Sequence, residues 1–532
     1  MKKIVASACM VSLLVPGPAT LQAGSDIVSQ PVPTARSGGT YCRSPEPLPD
    51  LGREVENQQQ AHPHRPRPAT AVRTAPAMAE EASDHDSGPH PAPPPPPPPP
   101  PPRAGVADEA EDRIVVTGSR VDRKSMDSPA PEASVESAET ADRSRYMPVP
   151  PPYPPRPPRP QSGLLTAGEH DDLLNPELYA DYVRKSDLGQ RLRDLPLLDT
   201  SSILRVRAID SRGQAVPFMP IELRCEDGNS ITLNSVADGS AVFFPGLDRL
   251  SENVWVRAGD SKWRLVRLAD AEGAQSVTIR TSDYASKVRK LDLALVVDVT
   301  GSMSDELRFL QAELRTIIDS LEARHRDIDI RVAFSFYRDQ GDEFVTRTFD
   351  FDSDVPRAQT RLAAQYATGG GDYEEAMQDA LVRAANLEWR DDAVKSLLLV
   401  GDAPPHDEDI PQTWLAAEHL RAERVHVVPV GASGVADVAE YVMRAMAAAT
   451  QSRYTFLTDD SGIGNPHAKP AIDCYLVTRL DQLLRRVIDS QISGRRIEPE
   501  KNEVIRAVGQ YDAGKCILPP DFAEQVRKQK DA

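Results

Sequence analysis

The stretch Leu291-Asp-Leu-Ala-Leu-Val-Val-Asp-Val-Thr-Gly-Ser-Met-Ser304 confines the chain to few architectures. Leu293 to Val297 is short, apolar toward both faces and rich in branched side chains, as in a parallel strand covered by helices on either side. From Met303 the apolar spacing changes, and Leu307, Leu310, Leu314, Ile317 and Leu321 share one face of an amphipathic helix. Asp298, Thr300 and Ser302 are therefore expected in a strand-to-helix loop.

Such a loop has two readings. In one, Ser302 caps the helix, with Asp305 in the box position. In the other, the oxygens hold a hard cation such as magnesium or manganese, and the neutral hydroxyls leave it charge for a partner's oxygen. The loop resembles the metal-ion-dependent adhesion site of von Willebrand factor type A domains, whose first motif is Asp-x-Ser/Thr-x-Ser at the end of the first strand. Two later stretches extend the resemblance. Ala367-Thr-Gly-Gly-Gly-Asp-Tyr-Glu-Glu-Ala376 looks like the family's second loop, and Ser396 to Asp402 reads as another buried strand closed by an aspartate. Asp402-Ala-Pro-Pro-His406 looks like its last motif.

The resemblance spans about residues 290–493 and implies a doubly wound, open, mostly parallel α/β sheet with its ligands at the carboxyl ends of strands. It implies a metal held by Asp298, Thr300, Ser302, Asp372 and Asp402, magnesium first, with manganese or calcium as alternatives. Many family members have a threonine where this chain has Asp372; Thr368 is the other candidate for that place. Asp372 also has a capping reading, with Glu375 in the box position. Three aspartates more than offset a divalent charge, so an incoming carboxylate is attracted less strongly than by a site with two.

The rest of the 532 residues divides by composition. Met1-Lys-Lys3, the apolar run Ile4 to Val15 and Leu21-Gln-Ala23 read as a secretory signal, 1–23, cleaved after Ala23; a retained anchor is the lesser reading. Residues 24–160 lack a sustained apolar period and read as a disordered, proline-rich arm. Its unbroken run Pro93 to Pro102 is expected to act as a polyproline II spacer of roughly 30 Å. Arg113 to Arg120 resembles a short segment near the plug of TonB-dependent outer-membrane receptors, which suggests an envelope neighbourhood.

Apolar density returns in a leader, 161–198, whose Leu165-Thr-Ala-Gly-Glu-His-Asp-Asp172 resembles leaders found before type A domains in bacterial envelope proteins. Residues 199–284 hold about seven short alternating runs parted by turns, which predicts a small antiparallel β-sandwich. Within it, Ala237 to Pro245 resembles carboxypeptidase-regulatory-like and immunoglobulin-like modules, which are usually non-catalytic. A carboxyl-terminal tail, 494–532, completes the chain. Export leaves Cys42, Cys225, Cys474 and Cys516 in an oxidising compartment; they allow three pairings or four free thiols, and a bridge from Cys474 to Cys516 is the one that would staple the tail.

A net charge of -18 argues against nucleic acid as a partner. The sequence has no nucleophile elbow, no phosphate-cradling glycine loop and no His-Glu-x-x-His zinc helix. These observations lead to a non-enzymatic, exported, periplasmic or envelope-associated module that binds a protein partner through its metal. A metal-independent scaffold is the alternative. A metal-assisted hydrolase using His406 is the remoter one. His426, inside a buried strand, is expected to be a core histidine.

Overall fold

The computed structural model describes residues 31–36, 38–54, 160–186, 188, 192, 198–268, 273–522 and 524, all within one compact unit. The expected signal segment, the run Pro93 to Pro102 and Arg113 to Arg120 lie outside the described residues. In chain order the elements begin with β1 (Thr166–His170), α1 (Pro176–Ser186) and seven strands, β2 (Leu204–Ile209), β3 (Pro220–Cys225), β4 (Ser230–Asn234), β5 (Ser240–Phe243), β6 (Asn253–Ala258), β7 (Arg264–Arg267) and β8 (Gln275–Arg280). They continue with β9 (Lys290–Asp298), α2 (Leu307–Arg324), β10 (Asp329–Tyr337), β11 (Thr346–Asp352), α3 (Val355–Ala363) and α4 (Met377–Ala385). The remainder are β12 (Val394–Gly401), α5 (Ile410–Ala422), β13 (Val425–Gly431), α6 (Asp437–Ala449), β14 (Tyr454–Thr458), β15 (Tyr475–Arg479), α7 (Leu480–Ser493) and β16 (Arg506–Val508).

A nine-stranded sheet runs β11-β10-β9-β12-β13-β14-β1-β15-β16. Strands β10, β9, β12, β13 and β14 are parallel, while β11, β1 and β16 run against their neighbours. The central strand β9 shows why the sheet is covered twice. Leu293, Leu295 and Val297 pack with Leu307, Leu310 and Leu314 of α2 and with Leu483, Leu484 and Val487 of α7. Ala294 and Val296, on the other face, join a core with Ala380 and Leu381 of α4, Leu420 of α5 and Met443 of α6. This is the α/β class expected from the sequence.

The leader has a larger part than a leader. Its Thr166–His170 forms β1, pairing with β14 on one side and β15 on the other. Gly168 makes this possible, because a Cβ there would lie 2.4 Å from the Phe456 ring and 2.9 Å from the Tyr475 ring. The strand is polar because its neighbours are arginines. Glu169 meets Arg453 at 2.7 Å and Arg486 at 2.9 Å, and Asp172 just beyond meets Arg444 at 2.7 Å, all of them buried. The α/β domain therefore starts before the sandwich and resumes after it. The tail belongs to it too, through β16 and a disulfide joining Cys474 to Cys516.

The sandwich itself consists of a three-stranded sheet, β5-β2-β8, and a four-stranded sheet, β4-β3-β6-β7, sharing one apolar core. It is not wholly antiparallel, since β2 and β8 run in parallel. Arg421, at the end of α5, reaches Asp248 at 2.7 Å, and Arg424, just before β13, lies over the Phe218 ring. The sandwich thus supports the amino ends of the parallel strands, away from the loops at their carboxyl ends. Part of the region read as a disordered arm is also packed. Cys42 bridges to Cys225, Arg383 donates to the Gly52 carbonyl, and Thr348 N of the edge strand β11 donates to Glu54. These contacts use a disulfide, a backbone carbonyl and a side-chain carboxylate, so no apolar period announces them.

Burial pushes the Glu169 carboxyl up, but Arg453, Arg486 and Arg496 outweigh it and hold it at about 2 instead of 4.5. An acid depressed in this way contributes stability above its unfolded pKa and loses it as pH falls through the folded value. Urea denaturation of the wild type should therefore show falling stability between about pH 4.5 and about 2. Glu169→Gln should flatten that dependence and cost about 3–5 kcal/mol at neutral pH, because two buried guanidinium groups lose their counter-charge.

Candidate metal centre

Strands β9 and β12 are neighbours whose onward connections leave toward opposite edges of the sheet, so a crevice opens between their carboxyl ends. Asp298 ends β9, and Asp402 follows the last residue of β12. The loop after β9 is held by the glycine loop beyond α3: Gly301 N donates to the Gly369 carbonyl at 3.0 Å, and Thr368 N donates to the Val299 carbonyl at 3.0 Å. Gly369 and Gly370 adopt φ of +86° and +77°, a left-handed backbone that favours glycine. A Cβ on Gly369 would lie 2.3 Å from the Asp342 carboxylate, and one on Gly370 would lie 2.8 Å from Glu375 Oε1.

Four of the sequence-expected residues gather here in one hydrogen-bonded chain. Thr300 donates to Asp298 Oδ1 from its N at 2.8 Å and its Oγ1 at 2.6 Å. Ser302 Oγ lies 3.1 Å from Thr300 Oγ1 and 3.1 Å from Asp402 Oδ1, its one proton available to either. Asp298, Thr300 and Asp402 are buried, while Ser302 opens to solvent. The capping reading of Ser302 is not what forms: the short 3-10 turn Gly301–Asp305 and α2 both start without a side-chain cap.

Asp372, the fifth residue expected at the metal, lies in a second cluster of ligand atoms. It is exposed on the rim, where its carboxylate clusters with Asp339 and His406, the ligand atoms lying within 4.8 Å of one another. His406 Nε2 and Asp339 Oδ1 are hydrogen-bonded at 2.9 Å, and this bond and the surrounding carboxylates raise the histidine pKa. Asp372 does not cap α4, which starts at Met377 without a side-chain cap. Thr368 is exposed and contributes its backbone to the loop pairing. His426, by contrast, is the expected core histidine: Nδ1 faces the Thr450 and Gln451 carbonyls at 3.1 Å, and burial pushes its pKa down to about 4.

Glu375 is the acid that sequence reasoning missed. It is buried, and burial together with Asp298, Asp339, Asp402 and Asp342 pushes it up to about 9. Its sequence signal was visible only as the box position of a capping motif. Burial and mutual repulsion also raise Asp298, and burial with Glu306 nearby raises Asp402. Asp298 Oδ2 and Glu375 Oε2 are buried without a well-formed hydrogen bond among the described residues, and the neighbouring donor to Asp298 is the Tyr337 hydroxyl, which helps to hold its pKa down. Buried carboxylates without partners are costly unless a proton or a cation resolves them. Carboxylate and hydroxyl oxygens, with no sulfur or imidazole among them, suit a hard divalent ion.

Residues 292–465 match the family model described as von Willebrand factor A domain. A putative ariadne-like RING finger protein, R811, of Acanthamoeba polyphaga mimivirus is 34% identical over 119 residues, 22% of this chain and 11% of that protein. The alpha-protein kinase vwkA of Dictyostelium discoideum is 26% identical over 118 residues, 22% of this chain and 19% of that protein. The matches thus span only about a tenth and a fifth of these two curated relatives. Among solved structures, the conserved hypothetical protein BatB of Bacteroides thetaiotaomicron aligns with a TM-score of 0.26 at 13% identity, over 38% of this chain and 98% of that one. An aerotolerance-related membrane protein of Bacteroides fragilis aligns with a TM-score of 0.26 at 13% identity, over 39% and 99% of the two chains. The central α/β sheet, the motif-bearing loops and the family match together identify residues 292–465 as a von Willebrand factor A domain.

Proposed function

We propose that this protein is a non-enzymatic binding module that engages a protein partner through a divalent cation held by Asp298, Thr300, Ser302 and Asp402, with magnesium the natural occupant. The observation that carries this reading is the fully buried Asp298 Oδ2, without a well-formed hydrogen bond, beside a second buried aspartate and two hydroxyls. The ion, when bound, supplies a Lewis-acidic position for a partner's oxygen. Asp298 and Asp402 supply charge from within the crevice, Thr300 orients Asp298, and exposed Ser302 faces the side from which a partner approaches. Asp372 and His406 stand on the rim, where they would meet that partner.

His406 would be the base of a metal-assisted hydrolase, the remoter alternative. The metal-independent scaffold remains the competing reading. We further propose export to an envelope compartment. Its support is the amino-terminal signal pattern and two disulfides among the described residues, bonds that persist in oxidising surroundings. Among the described residues no helix is long and apolar enough to cross a membrane.

A cation that binds only the folded state adds about 2.7 kcal/mol at 100 times its dissociation constant. Wild type should therefore melt higher in magnesium than in chelator, and Asp298→Asn should lose that response while melting no lower than wild type in chelator. Equal melting of wild type in magnesium, manganese, calcium and chelator would instead favour the scaffold. The metal-dependent gain should also grow from about pH 5 to about pH 8. The sign follows from the raised Asp298 and Asp402: the metal-free fold loses stability as pH climbs toward their folded pKa values, and protons compete with the ion below them.

A further inference from the structure

The glycine loop brings a second acid to the crevice besides the exposed Asp372. Glu375 N donates to the Pro404 carbonyl at 3.0 Å, tying it to the loop that carries Asp402. Ala376 N donates to the Arg338 carbonyl at 3.3 Å, tying the next residue to the end of β10. Glu375 is thereby fixed between two of the strand ends that build the crevice. Its side chain is only 2% exposed. Gly370 lies directly against it: a Cβ there would be 2.8 Å from Glu375 Oε1 and 3.5 Å from the Thr300 Cβ. One glycine thus touches both the Glu375 carboxylate and the hydroxyl residue that orients Asp298.

The charges that act most strongly on Glu375 are of one sign. Asp298, Asp339, Asp402 and Asp342 face it, and its Oε2 has no hydrogen-bond partner among the described residues. A buried acid among four others, with one oxygen unsatisfied, is a poor structural element by itself. It makes physical sense beside a cation. The oxygens of Asp298, Asp402 and Glu375 do not all come within 4.8 Å of one another, the separation at which Asp339, Asp372 and His406 cluster. Magnesium dehydrates reluctantly and keeps several of its waters, so a carboxylate slightly too far to ligate can still hold the ion through one of them.

We infer that Glu375 is the third carboxylate of the metal centre, holding the ion through its bound water, and that Asp372 belongs to the rim. The inference rests on the metal-binding reading proposed above and adds a positioning residue to it. With Glu375 in this role the charge of the centre is set from beneath, by a group that an approaching partner does not touch. Asp372 is then free to contact the partner with His406 and Asp339.

Calorimetric titration of magnesium into the full chain tests this for wild type, Glu375→Gln, Glu375→Asp and Asp372→Asn. Loss of an outer-shell carboxylate weakens metal binding by about 10- to 100-fold. Glu375→Gln should raise the dissociation constant by about that factor and melt no lower than wild type in chelator. Glu375→Asp keeps the charge but withdraws it by one methylene and should weaken binding less; it carries the test if the glutamine variant does not fold. Asp372→Asn should change the constant by no more than about twofold. Wild-type affinity in both Glu375 variants, or a larger loss from Asp372→Asn than from Glu375→Gln, overturns the inference and leaves the metal centre standing. A wild type that takes up no magnesium overturns both together.

Discussion

Placing Asp298 at the end of a buried central strand of the sheet is the costly step from which much of this structure follows. Strand β9 is covered on both faces and flanked on both edges, so its terminal carboxylate cannot reach bulk water. Thr300 satisfies one of its oxygens twice and leaves the other without a well-formed hydrogen bond. Asp402 and Glu375 then enter the same low-dielectric space, where like charges repel strongly. A fold selected only for stability would place neutral side chains here. The arrangement resembles other functional sites, where local cost is tolerated because the surrounding structure fixes it.

The surrounding structure is built to do that. Inserting β1 between β14 and β15 closes the sheet beyond β14, and the buried Glu169, Asp172 and their arginines hold that insertion in one register. Buried ion pairs contribute little net stability against apolar replacements, but removing one partner is expensive, which suits a role in specifying how β1 docks. The sandwich sits at the opposite ends of the strands and leaves the crevice open. Its position supports the amino ends of the parallel strands.

How much could be read beforehand depended on whether position or partner carries the information. The alternating strands and helices, the paired aspartates at strand ends and the glycine pair obey local rules, so Asp298, Thr300, Ser302 and Asp402 were legible. Asp372 and Glu375 were not sorted by those rules. Both lie in one short loop, and which of them turns inward depends on the backbone bonds from Glu375 to Pro404 and from Ala376 to Arg338. Strand β1 escaped for a related reason. Thr166–His170 is polar and contains a glycine, and it becomes a core strand only because Arg453, Arg486 and the Phe456 and Tyr475 rings come from far along the chain.

The most direct measurement is anomalous diffraction from crystals of the protein, with the segment that carries Cys42 retained, grown with manganese; it locates the ion without reference to stability or partner. The expected result is a single strong peak in the crevice, about 2.1 Å from oxygens of Asp298, Ser302 or Asp402, with Glu375 on a bound water. A peak only at Asp339, Asp372 and His406, or no peak at a concentration that saturates comparable sites, would contradict the account.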